Sequence, residues 1–264
     1  MSSPPMSIPD LDERFLQPEG WRWHEFNREE RRLRFGTVSP KGNLPDAVVI
    51  CLPGLSEFAE KYFEVARTCL DQNLSFWVID WMGQGGSGRY LEDRQKRHGT
   101  SFQDDVDDLF HLYSEYVKHS SVHPDVGRIP LVMLAHSMGG NIGLQFIKQH
   151  PTIFHLAAFS APLLGFSQIE NHKLKKIAPL LIHASKQFSG QKYISDGGSW
   201  SDRPRVFEGP EALSSDPQRA KVHSAWFEGL DLGTGVGNSK KAAEIEAART
   251  ALQDKQWLPL VTEK

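Results

Sequence analysis

The ten residues Leu131-Val132-Met133-Leu134-Ala135-His136-Ser137-Met138-Gly139-Gly140 constrain the fold of this chain more than any other stretch. The apolar run from Leu131 to Ala135 reads as a strand buried inside a sheet. Small residues then crowd around Ser137: Ala135 lies two positions before it and Gly139 two positions after it. Larger side chains there would keep the strand from approaching a helix that follows at once. The pattern predicts a nucleophile elbow, in which a serine sits on a strained turn with its oxygen exposed. Ala135 stands where the motif usually has its first glycine, and keeps the small size. The alternative is an ordinary N-cap serine, because Ser137 also begins a helix.

Around this feature strands alternate with helices. Ala47–Leu52, Leu74–Ile79 and residues 130–135 are compact apolar runs, expected as strands buried on both faces of a parallel sheet. Residues 156–159 look like a further strand, and residues 21–35 alternate more loosely, as an antiparallel edge would. Phe58, Tyr62, Ala66, Cys69 and Leu70 share one face of a first helix. Phe102, Val106, Leu109, Phe110, Tyr113 and Val117 share one face of a second. Its start carries Asp104, Asp105, Asp107 and Asp108, which suit the helix dipole. A third helix runs from Ser137 to about His150, where Pro151 ends it. Repeated β-α units imply an α/β class with a mostly parallel, doubly wound sheet.

Past Pro162 the character changes, to helix-like segments with a glycine- and serine-rich stretch at 195–201. The expected organisation is a core part at 1–162, a helical cap or lid at 163–256, and a return toward the core at 257–264. The lid would lie over the C-terminal edge of the sheet, where α/β proteins bind ligands. Residues 240–252 should form a surface helix capped by Ser239.

Composition narrows the partners. With 264 residues, 39% of them hydrophobic, the chain can bury a sizeable core. A net charge of -3 offers no overall basic field, so no nucleic acid is expected. Cys51 and Cys69 sit in apolar stretches and suit buried thiols better than a disulfide. No CxxC or histidine-rich pattern is present, so neither metal nor cofactor is expected. The first seven residues lack the basic start and apolar core of a signal peptide, and no stretch reaches the length of a membrane span. The expected location is the cytoplasm, with peripheral membrane contact left open and the oligomeric state not indicated. Residues 173–182 mix lysines with an apolar face, which suits either an anionic lipid surface or a lid helix packed on the core.

Three loops carry the chemistry. The first is the turn at Ser137. The second, Pro53-Gly54-Leu55-Ser56-Glu57, follows the first central strand. In a serine hydrolase with such an elbow, one oxyanion donor is the N–H after the nucleophile, here Met138, and the other comes from this early loop. Leu55 is the candidate, and each donor contributes about 3–4 kcal/mol to the transition state. The alternative is a plain Pro-Gly turn. The third loop is Asp80-Trp81-Met82-Gly83-Gln84-Gly85-Gly86-Ser87-Gly88. It looks like a phosphate cradle, but it follows a later strand and runs into the charged residues 92–97. A structural turn in which Asp80 anchors loop amides is the preferred reading.

Taken in order, these loops, with Tyr62, Arg89, Phe102 and Asp107-Asp108-Leu109 between them, resemble the α/β-hydrolase superfamily, and within it the lysophospholipase and monoacylglycerol lipase group. The likeness covers roughly residues 21–162 and thins in the insertion, where residues 213–219 are similar to a cap segment of that group. It implies Ser137 as nucleophile, Leu55 and Met138 as oxyanion donors, a lid over an acyl pocket, and a small lipid ester as substrate. Haloalkane dehalogenases and epoxide hydrolases carry aspartate at the elbow, so Ser137 argues against both. Peptidases that cleave N-terminal residues share the same elbow.

The triad of this superfamily runs serine, then acid, then histidine. The acid and histidine are expected beyond the lid, yet His223 is the last of the eleven histidines. The triad acid and histidine are therefore expected to be absent, with the final strands of the sheet missing and an apolar edge left unpaired. His136, His98, His172 and His183 are the possible substitutes, each needing direct reach to the serine. Losing the base costs on the order of a million-fold in a well-studied serine protease. Two readings stand: a serine ester hydrolase working through an acyl-serine, or a catalytically incomplete or non-catalytic relative.

Overall fold

The computed structural model describes residues 11–96, 98–165, 206–210, 212 and 214–222. Contacts divide the chain into a unit of residues 17–203 and a unit of residues 1–16 with 204–264. Among the described residues the first unit holds eight strands: β1 (Arg22–Arg28), β2 (Arg31–Val38), β3 (Ala47–Leu52), β4 (Leu74–Ile79), β5 (Val122–His123), β6 (Gly127–Arg128), β7 (Leu131–His136) and β8 (Leu156–Ser160). Six of them form one sheet in the order β1-β2-β4-β3-β7-β8, while β5 and β6 make a separate ribbon. β1 and β2 run antiparallel to each other, and β2 runs antiparallel to β4. From β4 through β3 and β7 to β8 every pairing is parallel. The antiparallel edge and the parallel centre are both as the patterning predicts.

Burial follows position in the sheet. All six residues of β3 are buried, because a strand flanks it on either side and helices cover its faces. β7 departs from the expectation of two buried faces: Leu131, Met133 and Ala135 are buried, but the alternate residues are only partly so. β8 departs further. Leu156 is 68% exposed, and among the described residues β8 pairs with β7 alone.

Among the described residues of this unit the helices are α1 (Phe63–Asp71), α2 (Phe102–Leu112), α3 (Lys118–Ser120) and α4 (Ser137–Gln149). α1 buries Phe63, Ala66 and Cys69. Tyr62, expected on its apolar face, instead closes a 3-10 turn, Ala59–Tyr62, ahead of it. Ser101 caps α2, its Oγ accepting from the Asp104 N–H at 3.2 Å. A π turn at Tyr113–Val117 joins α2 to α3. Phe102 and Phe110 were placed on the buried face by spacing, yet both are exposed by about two-fifths. Phe110 stacks on His150 with ring centroids 4.4 Å apart, which gives it cover outside the core. Asp108, read as part of the acidic start of this helix, has charged partners of its own. It is fully buried and holds Arg28 at 2.6 Å and Arg31 at 2.8 Å, fastening the β1–β2 turn to α2. Cys51 and Cys69 are buried free thiols, and burial pushes both up, Cys69 to about 11.

In the other unit, residues 217–222 form a helical turn started by Asp216. The Asp216 Oδ1 accepts from the N–H groups of Gln218 and Arg219 at 2.9 and 3.2 Å, and its Oδ2 pairs with Arg14 at 2.6 Å. His172, His183, the segment 173–182, the Ser239-capped helix at 240–252 and most of the lid lie outside the described residues. Among those described, no helix is long and apolar enough to cross a membrane.

Candidate active site

β7 ends at His136, whose backbone is still extended, and α4 begins at the next residue. Ser137 makes that corner with φ +49. A capping serine has an extended backbone, so the left-handed geometry sets Ser137 apart from an ordinary N-cap. The close approach it needs is secured by glycine. A Cβ on Gly139 would stand 2.1 Å from the Leu52 carbonyl oxygen, and one on Gly140 would stand 2.7 Å from the Pro162 Cβ. The elbow is tied down further by the Leu163 N–H, which donates to the Ser137 carbonyl at 2.8 Å. Asn141 Nδ2 donates to the Leu163 carbonyl at 2.9 Å.

β3 and β7 are parallel neighbours, with Leu52 paired to Ala135, so the loops at their C-terminal ends meet. Gly54 marks the meeting point. A Cβ built on it would lie 3.1 Å from the Ser137 Cβ, which sets the loop carrying Leu55 directly against the serine. Leu55 itself is 61% exposed, while Met138, the first residue after the serine, is buried in the first turn of α4.

The 53–57 loop is held from below by the glycine-rich loop. Trp81 Nε1 donates to the Pro53 carbonyl at 2.8 Å. Gln84 Nε2 donates to the Gly54 and Glu57 carbonyls at 3.1 and 3.2 Å, and Gln84 Oε1 accepts from the Ser56 N–H at 2.8 Å. Ser56 has φ +69, a conformation this grip maintains. Asp80 is the anchor expected of it: Oδ1 accepts from the Ala59 N–H and Oδ2 from the Gly86 N–H, both at 2.8 Å. Arg34 Nε also donates to Oδ2 at 2.7 Å. The third loop is thus a support for the second, and the phosphate-cradle alternative has no role in this arrangement.

Glu57 and His136 complete the picture, and neither was singled out for it by the sequence. His136 Nδ1 lies 2.8 Å from Glu57 Oε2. Burial raises the Glu57 carboxyl, but Lys61, Tyr62 and His136 outweigh it and hold it down at about 2. Burial in turn pushes the Tyr62 hydroxyl up. His136 is therefore engaged by Glu57, and among the described residues no histidine is hydrogen-bonded to Ser137 Oγ. His98 packs edge-on against Tyr90, with ring centroids 5.7 Å apart. No local spacing in the sequence signals the Glu57–His136 pair. His136 itself lies 79 residues away.

Residues 43–226 match the family model described as serine aminopeptidase, S33. Over 120 residues the chain is 38% identical to lysophospholipase L2 of Escherichia coli (strain K12), covering 46% of this chain and 34% of that protein. Over 160 residues it is 26% identical to monoglyceride lipase of Rattus norvegicus, covering 61% of this chain and 49% of that one. Phospholipase YtpA of Bacillus subtilis (strain 168) matches at 28% over 143 residues, 52% of this chain and 48% of that protein. The chain spans half or less of the length of these curated relatives. Among solved structures, a thermostable carboxyl esterase from Bacillus coagulans superposes with a TM-score of 0.53 at 13% identity, covering 89% of this chain and 87% of that one. That is a likeness of fold.

One expectation is overturned. Residues 216–255 match the double-stranded RNA binding motif, against the reading that no nucleic acid is a partner. That reading rested on the net charge of -3, a sum over 264 residues that conceals a short local motif. Most of the matched segment lies outside the described residues. With the elbow, the loop beside it and a family match over most of its length, the chain belongs to the serine aminopeptidase S33 family of α/β-hydrolases.

Proposed function

We propose that the chain carries the core of a carboxylic ester hydrolase that acts on small lipid esters, lysophospholipids or monoacylglycerols, through an acyl-Ser137 intermediate. The observation that carries this reading is the close approach of Gly54 to a left-handed, half-buried Ser137, which sets the serine beside the 53–57 loop. Ser137 Oγ attacks the ester carbonyl carbon, and its proton passes to a base. The carbonyl oxygen takes up negative charge, which the N–H groups of Leu55 and Met138 stabilise. The alcohol leaves with the proton, and water then releases the acid from the serine. In this reading residues 163–256 form the lid above the acyl chain. The substrate class draws support from relatives named lysophospholipase L2, monoglyceride lipase and phospholipase.

The test is fatty-acid release by the full chain from a monoacylglycerol and from a lysophospholipid, with an aminoacyl arylamide alongside. Release that disappears in Ser137→Ala supports the reading. Release unaffected by that change, or cleavage of the arylamide alone, overturns it. The alternative of a catalytically incomplete protein is favoured by one observation: among the described residues His136, the histidine beside Ser137, is held by Glu57. Its signature is an acylation step at Ser137 without turnover.

For residues 216–255 we infer a second, separate role in duplex RNA binding, supported by the motif match and by Lys240-Lys241 at the start of an alanine- and glutamate-rich segment. Gel-shift titration with short duplex and single-stranded RNA tests it. Duplex binding that weakens with salt and with the double change Lys240→Ala, Lys241→Ala is expected. Equal indifference to both RNAs contradicts it.

A further inference from the structure

We propose that Glu57 is a positioning residue for acyl transfer at Ser137, clamping the loop that bears the Leu55 N–H to the end of β7. The inference rests on the ester-hydrolase reading above and adds to it the group that holds the oxyanion loop in register. Glu57 Oε2 accepts from the Gly54 N–H at 2.7 Å and from the Tyr62 hydroxyl at 2.6 Å, and meets His136 Nδ1 at 2.8 Å. Lys61 Nζ donates to Oε1 at 2.8 Å. One carboxylate thus joins the loop itself, the turn ahead of α1, and the residue immediately before the nucleophile.

The side chain is 13% exposed, and a carboxylate that buried persists only where donors meet it. The clamp also sits where it can control geometry. A Cβ on Gly54 would be 3.0 Å from Glu57 Oε2, 3.0 Å from His136 Nδ1 and 3.1 Å from the Ser137 Cβ. Carboxylate, histidine and serine therefore converge on one glycine, and the next residue supplies the proposed donor. An oxyanion donor works only within hydrogen-bond reach of the developing charge, and a misplacement of about 1 Å can cost on the order of a hundredfold in rate.

The experiment uses the full chain, Glu57→Gln and Tyr62→Phe, with two readouts. The first is the second-order rate at which a fluorophosphonate modifies Ser137. The second is amide hydrogen exchange in the peptide spanning residues 53–57. Glu57→Gln is expected to slow phosphonylation by roughly 10- to 100-fold and to speed loop exchange, while exchange in β3 and α4 is unchanged. Tyr62→Phe should slow phosphonylation by roughly threefold to tenfold, the range that one hydrogen bond is worth. Wild-type rate and wild-type loop exchange in Glu57→Gln overturn the proposal. If Glu57→Gln fails to fold, the same two readouts on Tyr62→Phe decide. If the wild-type serine is not phosphonylated, the ester-hydrolase reading falls, and loop exchange alone still decides whether Glu57 is the clamp.

Discussion

A non-glycine residue in the left-handed region costs on the order of 1–3 kcal/mol, and Ser137 is kept there, at φ +49, by the packing of β7 against α4. Ser137→Gly should therefore raise stability by about 1 kcal/mol while abolishing acyl transfer, seen as a higher thermal midpoint with no turnover. Gly139→Ala should do the reverse. Its Cβ would stand 2.1 Å from the Leu52 carbonyl, and about 3 kcal/mol should be lost in denaturant titration as β3 and α4 are forced apart. Ser137 and Gly139 were legible because the elbow is a local pattern, written in consecutive residues. Glu57 was not. A carboxylate after Pro53-Gly54-Leu55-Ser56 reads like any loop acid until a histidine 79 residues on is folded against it.

Elements were legible where both neighbours of a strand are supplied, as in β3 and β4, since burial on two faces leaves an unbroken apolar run. β7 was over-read as buried on both faces, because the same run of apolar letters serves a strand with less cover. Buried charge was harder still. The four aspartates at the start of α2 suit a helix dipole, yet Asp108 is the partner of Arg28 and Arg31. Asp108→Ala should cost about 3 kcal/mol, because it removes the buried carboxylate that Arg28 and Arg31 share. Asp105 shares Arg31 with Asp108. Burial first, then the charges of Asp108 and Asp104, push its carboxyl up to about 7 despite Arg31. A raised carboxyl binds its proton more tightly in the folded state, so that contribution is full at low pH and is lost as pH rises through about 7. The unfolding free energy measured from about pH 5 to about pH 8 should fall by roughly 1–2 kcal/mol, and Asp105→Asn should flatten the slope. Glu57 acts in another window. Held down at about 2, it stabilises the fold above its ordinary value of 4.5 and loses that effect as pH falls through about 2.

For the molecule as a whole, the alternation of strands and helices was enough to foresee that the loops carrying Leu55 and Ser137 would meet. Parallel β3 and β7 lie side by side, so the loops that leave their C-terminal ends must meet, and the order of motifs along the chain carries that information. A sum of charges carries no such positional information, which is why the RNA-binding match at 216–255 was missed. The most direct test of the account is peptide-resolved mass spectrometry of the full chain after fluorophosphonate treatment. The account predicts one adduct, on the peptide containing Ser137, and its loss in Ser137→Ala. An unmodified Ser137, or an adduct on a different serine, would contradict it.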